Sequence, residues 1–114
     1  LPKYHNTATE ADGYRFDSQA EAWHYFHLRS LVEAGEITDL RVHPRYTLLE
    51  PFTRHGKRVR AITYTPDFDY LRADGRRVAV DVKGGRATQT EAFKLRAKLF
   101  MWRYPDVELV IEAY

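Results

Sequence analysis

Ala73-Asp74-Gly75 joins two strand-like segments, Ala61–Leu71 and Arg76–Lys83, and this hairpin restricts the fold more than any other feature. An Asp-Gly pair supplies the positive-φ positions that a tight turn needs. The first arm carries Ile62, Tyr64, Phe68 and Tyr70, and the second alternates through Val78, Val80 and Val82. Period two sends those valines to one face and Asp81 with Lys83 to the other. A lone two-stranded hairpin is barely stable in water, so the remaining chain has to cover it. Ser18-Gln19-Ala20-Glu21 matches the S-x-x-E capping box and predicts a helix to about Ala34, with Gly35 as the residue that ends it. Its inward stripe is expected to be Glu21, Tyr25, Leu28 and Val32. Thr88-Gln89-Thr90-Glu91 repeats the signature and predicts a second helix to about Tyr104, before Pro105. Arg45–Leu49 and Val107–Ala113 read as strands, Glu50–Arg60 as a basic loop or hairpin end, Gly84-Gly85 as a break, and residues 1–13 as an arm. The expected order is α-β-β-β-α-β, an α/β fold whose mixed sheet is flanked by helices.

The 114 residues suit a single domain over 1–114, and 44% apolar with 14% aromatic residues is enough for one modest core. With no cysteine, a disulfide framework and a thiolate zinc site are excluded. No apolar run approaches the roughly 20 residues of a membrane span, so no membrane partner is expected. Leu1–Asp12 is polar and lacks the apolar core of a signal peptide, so a cytoplasmic location is expected. A net charge of +2 says little about nucleic acid, but 13 of the 18 basic residues are Arg, which suits bidentate phosphate contacts.

Asp67, after Pro66, and Asp81 fall on neighbouring strands, with Lys83 on the same face as Asp81. Two carboxylates held close disfavour each other's ionisation, and a divalent cation reverses that penalty. Hard oxygen ligands suit Mg²⁺ or Mn²⁺. Glu21 is a candidate third carboxylate, although a capping box explains it equally well. Asp81 and Lys83 alone also fit a solvated surface pair, and the run from Arg54 to Arg60 fits a soluble loop. His24 and His27 lie one helical turn apart, and His43 is a conceivable third zinc ligand; no thiol and no H-E-x-x-H pattern supports such a site.

Pro66-Asp67 followed by Asp81-Val82-Lys83 beyond an Asp-Gly hairpin resembles the motif of PD-(D/E)XK nucleases. The chain is more closely similar to small phage-encoded nucleases related to Holliday-junction resolvases. The segments that carry this are Phe16-Asp17-Ser18 with Glu21, Ala34-Gly35-Glu36-Ile37, Arg60 to Phe68, Val80 to Gly84, and Thr90-Glu91 with Phe93-Lys94-Leu95. The resemblance implies a restriction-endonuclease-like αβββαβ core and metal-dependent hydrolysis of DNA phosphodiesters. It implies that Asp67, Asp81 and the Val82 carbonyl hold Mg²⁺ or Mn²⁺, with Glu21 binding directly or through water, and that Lys83 orients the attacking water or stabilises the transition state. The middle acid is Asp81 where Glu is commoner, which shortens its reach. Arg54, Lys57, Arg58 and Arg60 are expected to grip phosphates, and Arg86, Gln89 and Lys94 to add DNA contacts. A four-way junction as substrate implies a homodimer, because it needs two symmetric nicks. Alternatives are a nicking, repair or transposon-end-cutting enzyme on the same fold, or a catalytically inactive DNA-binding module.

Overall fold

The computed structural model describes residues 8–84 and 88–114, so most of the N-terminal arm, Gly85 of the expected break, and Arg86 lie outside the described residues. Thr9–Ala11 (β1) and Tyr14–Phe16 (β2) pair antiparallel around Asp12 and Gly13, both at positive φ, so the end of the arm is a hairpin. Helix α1, Gln19–Glu33, starts where Ser18 Oγ accepts the Glu21 N–H at 3.1 Å. It stops where the Gly35 N–H donates to Val32 O at 3.0 Å and the Glu36 N–H to Leu31 O at 2.9 Å. That double bond pattern needs a left-handed residue after the last turn, and Gly35 supplies it at φ +77.

Ile37–Val42 (β3) follows, a strand that the sequence pattern does not reveal. Its register against Phe68–Arg72 slips between Thr38 and Arg41, with Asp39 at φ +51. Two residues there face one, a β-bulge, and the extra residue breaks the alternation by which strands are recognised. The chain continues through Tyr46–Leu49 (β4), Phe52–Arg54 (β5), Lys57–Val59 (β6) and Ile62–Tyr64 (β7) to Phe68–Arg72 (β8) and Arg77–Lys83 (β9). Helix α2, Glu91–Arg103, and Val107–Ala113 (β10) complete it. Thr90 rather than Thr88 caps α2, accepting the Phe93 N–H at 3.1 Å.

The main sheet has the order β10-β9-β8-β3, with β9 and β10 parallel and the other pairs antiparallel. The fold is therefore mixed α/β, and through this sheet the elements run α1-β3-β8-β9-α2-β10. Two expectations change. Arg45–Leu49 is not a strand of the main sheet, because β4 pairs with β7 alone. The expected strand Ala61–Leu71 is broken at Thr65-Pro66-Asp67, opposite His43-Pro44-Arg45 on the facing segment. A proline in each segment removes a ladder donor, and the paired ribbon bends there. The His43 N–H donates to Asp67 O at 2.9 Å and holds the bend together. Beyond it β5 and β6 close a hairpin through His55 and Gly56 at φ +52 and +74, so the basic segment is a hairpin end, with every strand residue exposed.

Strand β9 is buried on both faces. Val78, Val80 and Val82 pack with Phe16, Ala22, Tyr25, Leu28 and Phe68 on the α1 side. Ala79 packs with Tyr46, Leu48, Tyr64 and Phe100 on the α2 side. Within α1 the buried residues are Glu21, Ala22, Tyr25 and Leu28, and Val32 is only partly covered. Phe93, Leu99 and Phe100 of α2 face inward, whereas Leu95 and Trp102 are exposed. No helix is long and apolar enough to cross a membrane among the described residues.

Asp69 is 0% exposed and pins the strands together. It accepts two bonds from Arg41 (2.7 and 2.6 Å), one from Arg77 (2.8 Å) and one from the Tyr46 hydroxyl (2.5 Å). Every acceptor position useful to a buried carboxylate is met by a donor, two of them charged. Asp69→Ala takes away the carboxylate partner of Arg41 and leaves Arg77 with Asp39 alone; it is expected to cost about 3 kcal/mol, the low end for a broken buried pair because Arg41 can turn to solvent. Tyr46→Phe removes one neutral donor and is expected to cost about 1 kcal/mol. Urea unfolding of the two variants checks the order.

Candidate functional site

Two residues before Asp69, Asp67 has the opposite surroundings. It sits at the proline bend between β7 and β8, where one donor, the Val82 N–H, reaches its Oδ2 at 2.6 Å. Its other polar neighbours include the carboxylates of Glu21 and Asp81 and the imidazole of His43. Burial, the hydrogen-bonded approach of Glu21 and the charge of Asp81 push the Asp67 carboxyl up to about 9, against the opposing pull of the Val82 N–H.

Glu21 is 6% exposed in the first turn of α1. Its Oε1 accepts the Asp17 N–H at 3.0 Å, so it does cap the helix, one residue outside the usual box. A carboxylate has about four acceptor sites. Capping with one oxygen leaves room to face Asp67, so the capping bond does not take Glu21 out of the cleft.

Asp81 is 5% exposed on β9. The Tyr64 hydroxyl donates to its Oδ2 at 2.5 Å, and Lys83 Nζ lies 3.2 Å from its Oδ1. Burial and the neighbouring charges of Asp81 and Asp67 push the Tyr64 hydroxyl far above its usual range, so it stays a donor. Lys83 also stands 4.2 Å from the centroid of the Phe93 ring, which fixes the ammonium between a carboxylate and an aromatic face. Period two does the sorting: the Val82 side chain enters the core while Asp81 and Lys83 face the site.

Glu21, Asp67, Asp81, Val82 and Lys83 all line one cleft of about 530 Å³ between the start of α1, the proline bend, the end of β9 and the start of α2. The expected catalytic and metal-ligating residues are thus brought together. Among the described residues, the expected DNA contacts are not part of this cleft. Arg54, Lys57, Arg58 and Arg60 stand on or beside the β5–β6 hairpin, Lys94 pairs with Glu91 at 3.4 Å, and Gln89 lies half-buried ahead of α2 outside the cleft wall. Arg96 lines the cleft instead, its Nε donating to Thr63 O at 3.2 Å. A helix turns about 100° per residue, so a step of two residues puts Lys94 and Arg96 on different faces. Tyr64, Arg96 and Tyr114 are cleft residues that the sequence pattern misses; only the apolar-polar character of tyrosine beside the motif hints at the first.

His24 and His27 line a second groove of about 330 Å³ with Trp23, Tyr70 and Glu112, on the α1 side of the sheet. His43 is elsewhere. One donor atom each of Glu21, His43 and Asp67 lie within 4.8 Å of one another. The donors around Asp67 are hard carboxylate oxygens and an imidazole, crowded with like charge, and this set fits a divalent cation of the Mg²⁺ or Mn²⁺ class.

The model of the family described as Protein of unknown function (DUF1064) matches residues 1–113. Comparison with curated proteins and with solved structures gives no match.

The raised Asp67 has a consequence for stability without metal. Below about pH 4 the folded and unfolded chains both keep this proton. Above it the unfolded chain releases the proton while the folded chain holds it to about pH 9, so rising pH favours unfolding. The metal-free protein is expected to lose stability from pH 5 to 8, by at most about 1.4 kcal/mol per pH unit from this group. Asp67→Asn should flatten that slope. Urea midpoints at both pH values in EDTA measure it, and an unchanged slope in the variant contradicts the assignment.

Proposed function

The chain belongs to the DUF1064 family, and from its cleft we propose a metal-dependent endodeoxyribonuclease that cuts branched DNA, four-way junctions above all. The observation that carries this reading is the approach of Asp67, at the bend before β8, to Asp81 of β9 with Lys83 beside it, in a cleft where Asp67 meets carboxylates rather than cations. A fold gains nothing from that crowding, whereas a bound cation offsets it. The α-β-β-β-α-β order of the main sheet supports the same resemblance.

Asp67, Asp81 and the Val82 carbonyl, with Glu21, would hold Mg²⁺ or Mn²⁺. Such an ion lowers the pKa of its water and offsets charge on the phosphoryl oxygens. Asp81 is oriented for this by the Tyr64 hydroxyl, and Asp67 by the Val82 N–H. Lys83 orients the attacking water or stabilises the charge that builds on the phosphate. Arg96 adds a cation to the cleft wall. The β5–β6 hairpin supplies grip: residues 51–66 carry four basic and no acidic side chains, so the rest of the chain sums to −2 against a total of +2. Arg54, Lys57, Arg58 and Arg60 make phosphate contacts whose strength falls with salt. One small domain offers one cleft, so a junction needs two copies, and the working unit is a homodimer.

The test is incubation of labelled four-way junction, linear duplex and single strand with Mg²⁺, with Mn²⁺ and with EDTA. Metal-dependent cutting that favours the junction is expected. Cutting of none of them sinks the enzyme, and equal cutting of all three sinks the junction preference. Asp81→Asn should abolish cutting and Lys83→Met should slow it by about 100-fold or more, with DNA binding in Ca²⁺ retained by both.

A further inference from the structure

His43 is an exposed histidine at φ +52, in the bend between β3 and β4, with its ring centroid 5.9 Å from that of the buried Phe16. Non-glycine residues enter the left-handed region at a cost. Its backbone N–H is bonded to Asp67 O at 2.9 Å, so the bend that positions Asp67 also positions His43. The result is a convergence from three separate places: the first turn of α1 (Glu21), the β3–β4 bend (His43) and the β7–β8 bend (Asp67). Their donor atoms lie within 4.8 Å of one another. Two ligands on opposite sides of one ion, each at about 2.1–2.2 Å, stand about 4.3 Å apart. Small side-chain rotations therefore bring all three onto one cation.

We propose that His43 coordinates a divalent cation together with Glu21 and Asp67, and that this imidazole makes the centre take Mn²⁺ in preference to Mg²⁺. The inference rests on the proposed function in placing a cation at Asp67. Mg²⁺ favours all-oxygen surroundings and parts with water reluctantly, whereas transition ions accept imidazole nitrogen. Exposure of His43 leaves the ion a route in from solvent. His24 and His27 share a separate groove with Glu112, between α1 and the main sheet, and serve as internal controls.

The experiment is Mn²⁺ titration of metal-stripped protein, followed by electron paramagnetic resonance, with pulsed detection of nitrogen coupling in protein made with ¹⁵N-histidine. Coupling to a histidine nitrogen is expected in the wild type, lost in His43→Asn and kept in His24→Asn. Asparagine is chosen because it tolerates the left-handed backbone. Mn²⁺ affinity should fall at least about tenfold in His43→Asn, a loss typical even of an outer-shell partner, while Mg²⁺ affinity by competition changes little. Broadening of the His43 ring resonances by Mn²⁺, ahead of those of His24 and His27, gives a readout that needs no substitution. Mn²⁺ bound without nitrogen coupling, or bound equally well by His43→Asn, overturns the inference and leaves the nuclease reading standing. Coupling to His43 without any DNA cleavage does the reverse. No Mn²⁺ binding overturns both.

Discussion

Strand β9 is covered on both faces, and the rest of the structure follows from that. A strand in this position has to be apolar on each side, and β9 meets the requirement with Val78, Val80 and Val82 toward α1 and Ala79 toward α2. Asp81 breaks the rule. It is 5% exposed on the α2 side and is tolerated because the Tyr64 hydroxyl and Lys83 meet its two oxygens. A cleft opens at this end of the doubly buried strand. The start of α1, the proline bend and the start of α2 form its walls.

Asp67 and Asp69 show how two like residues, two positions apart, come to opposite uses. Asp69 is surrounded by Arg41, Arg77 and the Tyr46 hydroxyl, and its charge is neutralised within the protein. Among the described residues, Asp67 has one backbone donor and two acidic neighbours. Asp69 is fully buried, whereas Asp67 is partly buried at the edge of the cleft. A carboxylate with full internal partners holds strands together, and one without them is left with capacity for a cation. The same difference explains the raised carboxyl at Asp67. It also assigns the second acid to structure, although Asp-Phe-Asp reads as a symmetrical pair.

Much of the fold is legible in particular residues. Ser18 and Glu21 start α1, Gly35 ends it, and Asp74-Gly75 turns β8 into β9, because caps and tight turns are local events with local chemistry. Strand β3 is not legible, since the bulge at Asp39 spoils its alternation. Nor is the break in the expected strand Ala61–Leu71. Pro66 marks it, but a proline by itself does not say whether a strand ends or bends, and here the bond from the His43 N–H to Asp67 O decides for a bend. On the site, Asp67, Asp81 and Lys83 are visible as a motif. Tyr64, Arg96 and His43 are not, because each is distant in sequence from the partner it meets.

The amino-acid sequence by itself determined the two helices, the central hairpin and the face on which Asp81 and Lys83 stand, all of which depend on spacing within one element. Only the tertiary structure decided what surrounds each carboxylate. It set Asp69 among arginines, Asp67 among acids, and His43 beside Glu21. Burial and charge at a point are sums over residues from separate segments. Those sums exist only once the chain has closed around the β8–β9 pair.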